Sequence, residues 1–185
     1  MGLGTTVEQI VATAYRESPW RTTFLAVPPP DRYDFIAKLP KGARPQDVFA
    51  ALQNEVEKTL GLVGHLEMRN TNVLVLTVVR PNAPGLKPSA DGNRSSILYP
   101  RPGEIAIENE PMRGLAGCLE SYFQIPVIDH SGVTGNLDID LKWSEENWES
   151  HNPAGLKQAL LDQLGLELVS TNMPIEILVV ERVKN

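Results

Sequence analysis

Cysteine is nearly missing from this chain. Cys118 stands alone among 185 residues, which excludes an intramolecular disulfide, a cysteine-based zinc site and a CxxC redox pair. Histidine is almost as scarce: His65, His130 and His151 are the three present, and no two lie at ligand spacing, so a histidine metal site would need all three to converge. Cations are outnumbered, with 17 Lys and Arg against 23 Asp and Glu for a formal charge of -6. That balance argues against nucleic acid, whose binding is dominated by phosphate neutralisation, and against anionic membrane surfaces. No apolar run approaches the roughly 18 residues that span a bilayer, so no membrane span is expected. Met1-Gly2-Leu3-Gly4 has neither the basic start nor the apolar middle of a signal peptide, and the letters alone predict a soluble chain that carries no leader.

What remains is the composition of a globular domain, 42% hydrophobic and 22% charged. A chain of this size buries roughly 70% of the surface exposed by its unfolded form, enough to hold a core without disulfide or metal. No cofactor motif is read. Gly61-Leu62-Val63-Gly64 and Gly114-Leu115-Ala116-Gly117 lack the trailing Lys-Ser or Lys-Thr of a phosphate loop. The second pair is expected within a helix, where it would permit close packing against a sheet.

Thr5-x-x-Glu8 and Thr6-x-x-Gln9 are overlapping capping boxes that open a helix over 7–16, whose apolar face is Val7, Ile10, Val11, Ala14 and Tyr15. Ser18-Pro19 ends it. Residues 20–27 are expected to be extended, and 33–37 form a short strand after the stiff Pro28-Pro29-Pro30. Pro45 suits the first turn of a second helix with Val48, Phe49, Leu52, Val56 and Leu60 inward and Gly61 as its C-cap. Residues 62–68 and 73–79 read as two strands joined across Arg69-Asn70-Thr71-Asn72 as a tight hairpin. Residues 81–103, rich in Pro and Gly and without period, read as a linker or excursion.

Beyond it come a strand at 104–108, a helix opened by Pro111, and the block PVIDHSGVTGNLDIDL at 126–141, in which Leu137, Ile139 and Leu141 alternate with Asp138, Asp140 and Lys142. A helix carrying Leu156, Leu160, Leu161 and Leu164 ends at Gly165, and 166–169 and 175–183 read as a last pair of strands. Two patterns recur at an offset of 104 residues, from Gly61 to Gly165 and from Asp34 to Asp138. The expectation is therefore an α+β protein of two similar halves, 1–80 and 104–185. Each would run helix, strand, strand, helix, strand, strand, with helices packed on small, mainly antiparallel sheets.

VIDHSGVTGNLDIDLKW, the closing GLELVSTNMPIEILVVERV and the early YDFIAKLPKGA together resemble an uncharacterised family, the soil-associated proteins found in large copy numbers in some environmental bacteria. The likeness extends over nearly the whole chain. Asp129, Gly132, Thr134, Gly135 and Asp138 match the family's pattern, whereas His130 and Leu137 stand where Lys and Tyr are commoner. The resemblance implies a periplasmic or secreted location, since family members generally look exported, and it brings no agreed activity. More distantly, the element order is similar to the short N-terminal domain of secretins and TonB-dependent receptors, an interaction module.

Asp129, His130 and Ser131 place three catalytic residue types side by side. A triad draws its members from separate positions, however, and neighbours in an extended chain point apart. The plainer reading is that Asp129 and Ser131 cap the turn through hydrogen bonds while Gly132 and Gly135 supply unusual dihedrals. Glu108, Glu110, Glu145, Glu146 and Glu149 include no ordered cation loop. Cys118 reads as a small core residue. Trp20, Tyr33, Trp143 and Trp148 fall at strand ends or in connections, where interface residues collect, although covering a core or a sheet edge is the commoner role.

These readings lead to a non-catalytic binding module exported to the cell envelope, with a protein, peptide or glycan as partner and Trp20, Tyr33, Asp129, His130, Asp138 and Trp143 as its binding residues. No metal and no cofactor are expected. One competing expectation is a small hydrolase or sensor enzyme using Asp129, His130 and Asp138 in a cleft between the halves. Another is a homo-oligomeric subunit that assembles through an open sheet edge.

Overall fold

A computed structural model describes residues 2–183 apart from 37–40, 45, 91, 93 and 100. The expected position of Pro45 at a helix start, and of Ala37 in a strand, lies outside the described residues. The fold is α+β, as its patterning predicts. In chain order the first elements are β1 (Gly2–Thr5), α1 (Val7–Tyr15), a 3-10 turn (Pro19–Arg21), β2 (Thr22–Phe24), β3 (Tyr33–Phe35), α2 (Asp47–Glu55), a π turn (Val56–Leu60) and β4 (Leu62–Val78). After β5 (Lys87–Pro88) and β6 (Ser96–Leu98) come β7 (Glu104–Pro111), α3 (Met112–Phe123), β8 (Val127–Asp129), β9 (Asn136–Lys142), α4 (Pro153–Ala159), a π turn (Leu160–Leu164) and β10 (Leu166–Arg182).

Two compact units result, one of Met1–Thr71 with Pro174–Asn185 and the other of Asn72–Met173. In the first, Thr6 and Gln9 close the second of the two capping boxes: Gln9 N donates to Thr6 Oγ1 at 3.3 Å and Thr6 N to Gln9 Oε1 at 3.0 Å. Arg16, at φ 58, ends α1. The helix buries Val7, Ile10, Val11 and Ala14 against Leu52, Val56, Leu62, Leu178 and Val180. Short β1 pairs antiparallel with β3, so the strand before Thr5 is present as a four-residue piece. β2 runs parallel to β10, Val179 standing opposite Thr23.

In the second unit β5, β9, β7 and β6 form an antiparallel sheet in that order. Its inner face, with Ile105 and Ile107 of β7 and Leu137, Ile139 and Leu141 of β9, packs with Met112, Leu115 and Leu119 of α3 and with Leu156, Leu160 and Leu164. Cys118 belongs to this core and is 4% exposed; burial raises the pKa of its thiol. β8 runs parallel to β4, Ile128 standing opposite Val75.

The hairpin expected at 69–72 does not form, and the last pair of strands expected at 166–169 and 175–183 is a single strand. β4 and β10 are each one strand of 17 residues, and they are neighbours in sheet order. They run antiparallel: Val183 N donates to Gly61 O and Val79 N to Gly165 O, both at 2.9 Å. Asn72, read as a turn residue, instead accepts at Oδ1 from Asn172 Nδ2 at 3.0 Å. Neither Gly nor Pro interrupts 69–72, so nothing forces reversal, and a long partner strand satisfies the backbone better than a turn would. The 20–27 stretch is likewise not wholly extended, because Ser18 accepts from Trp20 N at 3.2 Å and caps a 3-10 turn before β2 begins.

Candidate functional site

The site follows from which face of β7 and β9 the core takes. With Ile105 opposite Leu141 and Ile107 opposite Ile139, the alternate residues Glu104, Ala106, Glu108, Asp138, Asp140 and Lys142 are left on the other face. The described residues of 81–103 make an excursion that joins the sheet at both edges: β5 adds to β9 with Lys87 opposite Asp138, and β6 adds to β7 with Ile97 opposite Ile107. Ser89 N donates to Asn136 O at 2.9 Å, and Ser96 Oγ to Glu108 Oε2 at 3.2 Å.

Asn109 locks this excursion to the sheet. The register of β7 on β9 shifts between Ile107 and Glu110, and Asn109 has the left-handed φ of 51 that such a bulge takes. Its N–H donates to Asp138 Oδ1 at 2.9 Å, its Nδ2 to Gly92 O at 2.5 Å, and its Oδ1 accepts from Asn136 Nδ2 at 3.0 Å. One side chain thus ties the bulge, the neighbouring strand and the returning loop together.

Between loop and sheet lies a groove of about 960 Å³. Gly85, Lys87, Ser89, Ala90, Gly92 and Arg94 line it from the excursion; Glu104, Ala106, Ile107, Glu108, Asn109, Asp138, Ile139 and Asp140 line it from the sheet. No described lining residue is aromatic, and small Ala106 leaves room above the strands.

Its charges divide into two groups. Glu104 is bonded by Arg101, and Lys142 Nζ lies 3.4 Å from Glu104 and 2.5 Å from Asp140. The hydrogen bond from Arg101 holds the Glu104 carboxyl below its ordinary range against the opposing effect of desolvation, and Lys142 adds to the lowering. Lys142 is raised chiefly by its bond to Asp140. Asp138 and Glu108, by contrast, accept from neutral donors among the described residues, Asn109 N and Ser96 Oγ. The side chains of Lys87 and Arg94 make no hydrogen bond or ion pair among the described residues.

Of the residues singled out from the sequence as binding candidates, Asp138 lines this groove and the others stand elsewhere. Trp20 is half-buried in the 3-10 turn and Tyr33 half-buried on β3 against the first unit's core. Asp129 ends β8, where its Oδ1 accepts from Ser131 N at 2.9 Å and Ser131 Oγ at 2.6 Å, the turn-capping arrangement. His130 is exposed, its N–H donating to Leu76 O at 2.9 Å. Trp143 packs edge-on to Tyr122 at 5.6 Å, and its Nε1 donates to Glu145 Oε2 at 2.6 Å. Among the described residues no group of His, Cys, Asp and Glu could hold a metal.

Asn109, Lys87 and Arg94 escaped the sequence reading. The signal for Asn109 was the break in alternation at Glu108-Asn109-Glu110, just before Pro111. Lys87 and Arg94 sat in a stretch with no period to assign them a face.

No helix among the described residues is long and apolar enough to cross a membrane. Neither a curated protein nor a solved structure matches this chain. A family model does, over residues 8–183, and with nearly the whole length covered the chain belongs to the family described as protein of unknown function (DUF3738).

Proposed function

We propose that this protein is a non-catalytic binding module of the bacterial cell envelope, which holds a polar ligand in the groove on the outer face of the β5–β9–β7–β6 sheet. The observation that carries the reading is the groove itself: about 960 Å³, with charged side chains, Asn109 and Ser89 set among Gly, Ala and Ile residues in its described lining. Its size falls in the range of small-ligand sites. Export is supported by the resemblance of 127–143 and 165–183 to the soil-associated proteins, and a peptide, glycan or protein of the envelope is the partner it suggests. The enzyme reading has less support, since Ser131 engages Asp129 and, of Asp129, His130 and Asp138, only Asp138 lines the groove.

The test is a thermal-shift screen with envelope glycans, short peptides, nucleotides and divalent metals, run on the native chain and on Ala106→Phe, which fills the groove from its floor. Ligand at a hundredfold excess over its dissociation constant stabilises the folded state by about 2.7 kcal/mol. For a chain of this size that raises the midpoint by roughly 2 to 4 °C. The expected result is such a shift with one ligand class, lost in the variant. No shift with any class, or a shift that Ala106→Phe leaves intact, overturns the proposal.

A second reading, self-assembly through a sheet edge, is favoured by one feature. Among the described residues the β1–β3 sheet has two strands, and Leu3 and Ile36 are 67% and 65% exposed. Open edges with apolar flanks accept further strands. Light scattering that finds a strict monomer at high concentration removes this reading.

A further inference from the structure

The groove's own charges specify its ligand further, on the premise that it is a binding site. Of the four carboxylates among its described lining residues, Glu104 and Asp140 are already met by Arg101 and Lys142. Asp138 and Glu108 have no cationic partner, and Lys87 and Arg94 have no anionic one among the described residues. Lys87 stands directly opposite Asp138 in the β5–β9 pairing, where side chains lie close enough to interact. Even so, their charged groups do not come within ion-pair distance of each other. Both signs therefore remain available to a molecule in the groove.

A simple anion would gain Lys87 and Arg94 but face Asp138 and Glu108, and a simple cation would meet the reverse. Since like-charge juxtaposition costs affinity, each is selected against. A neutral glycan would leave all four charges uncompensated as it displaced their water, and it would find no aromatic ring to lie on among the described lining residues. We infer that the groove takes a short zwitterionic peptide, its ammonium beside Asp138 and Glu108 and its carboxylate on Lys87 and Arg94. A volume of about 960 Å³ admits a few residues in extended form.

The experiment is calorimetric titration of the native chain with tri- and tetra-alanine bearing free ends, and with the same peptides N-acetylated, C-amidated or blocked at both ends. A neutral oligosaccharide and free alanine are titrated alongside. The free-ended peptides are expected to bind at least tenfold more tightly than either singly blocked form and to weaken as salt is added. Lys87→Ala and Arg94→Ala, both at exposed positions, are expected to abolish the penalty of amidation without changing the midpoint of unfolding, and Glu108→Gln that of acetylation. If blocked peptides bind as well as free ones, or the oligosaccharide or free alanine binds at the groove in preference to them, the inference fails while the binding-module reading stands. If none of these binds and the wider thermal-shift screen is also blank, both fail.

Discussion

Glu145 shows how one exposed-loop carboxylate can organise several rings. Its Oε2 accepts from Tyr122 OH and from Trp143 Nε1, both at 2.6 Å, while Tyr122 also accepts from Asn152 N at 2.8 Å and lies against the His151 ring at 4.9 Å. Burial, followed by the bond to Glu145, raises the pKa of Tyr122. Removing the carboxylate leaves a phenol and an indole N–H without their acceptor in a partly buried setting, where an unmet donor costs about 1 to 3 kcal/mol. Glu145→Ala is therefore expected to lower stability in urea unfolding by about 2 kcal/mol, and Glu145→Gln, which keeps an acceptor, by less. Equal losses would mean that the charge and not the hydrogen bonds carries the effect. Trp143 is thus a residue whose sequence position suggested an interface and whose contacts are with its own core.

At the scale of elements, the two π turns and the long strands behind them make a comparison within one chain. Gly61 and Gly165 end their turns at φ 63 and 64, a left-handed conformation that costs a residue with Cβ roughly 1 kcal/mol. Around Gly61 there is open space, but a Cβ on Gly165 would meet Arg80 O at 2.4 Å. Gly61→Ala is expected to cost about 1 kcal/mol, and Gly165→Ala clearly more, because the carbonyl it strikes belongs to backbone that cannot swing aside. Chemical unfolding of the two variants measures the difference; equal costs would show that 79–83 yields. Both glycines were legible as helix ends, since a C-cap is a local requirement. The continuity of β4 and β10 past 69–72 and 170–174 was not, because Asn and Thr there fit a turn or a strand and the choice rests on the facing strand.

For the molecule as a whole, the charged face of the sheet sets how stability varies with pH. Glu104 has a pKa below its ordinary 4.5, chiefly through Arg101. A carboxylate depressed on folding adds stability that is complete above the unfolded value and is lost as pH falls through the folded one. Lys142, raised above 10.5 chiefly by Asp140, adds stability that is complete at low pH and is lost as pH rises through its folded value. The midpoint of thermal unfolding is thus expected to begin falling below about pH 4.5. On the alkaline side it is expected to fall from about pH 9, where the unfolded chain gives up the Cys118 proton that burial retains in the folded state, with Tyr122 and then Lys142 adding to the loss above about 10. Glu104→Gln should reduce the acid-side slope. An unchanged slope would place the acid sensitivity in other carboxylates.

The sequence by itself determined the class of fold, the capped helices and which residues of 104–108 and 137–142 face inward, because caps and two-residue periods act within a few positions. It also carries, over 8–183, the match to a family of unknown function. Tertiary structure alone decided that β5 and β6 join the sheet, that Asp138 and not His130 lines a groove, and that Lys87 and Arg94 stand beside it with no partner among the described residues. Those outcomes depend on pairings between strands tens of residues apart. In such pairings the competition between a local turn and a distant ladder is settled by backbone hydrogen bonds that no short stretch of sequence contains.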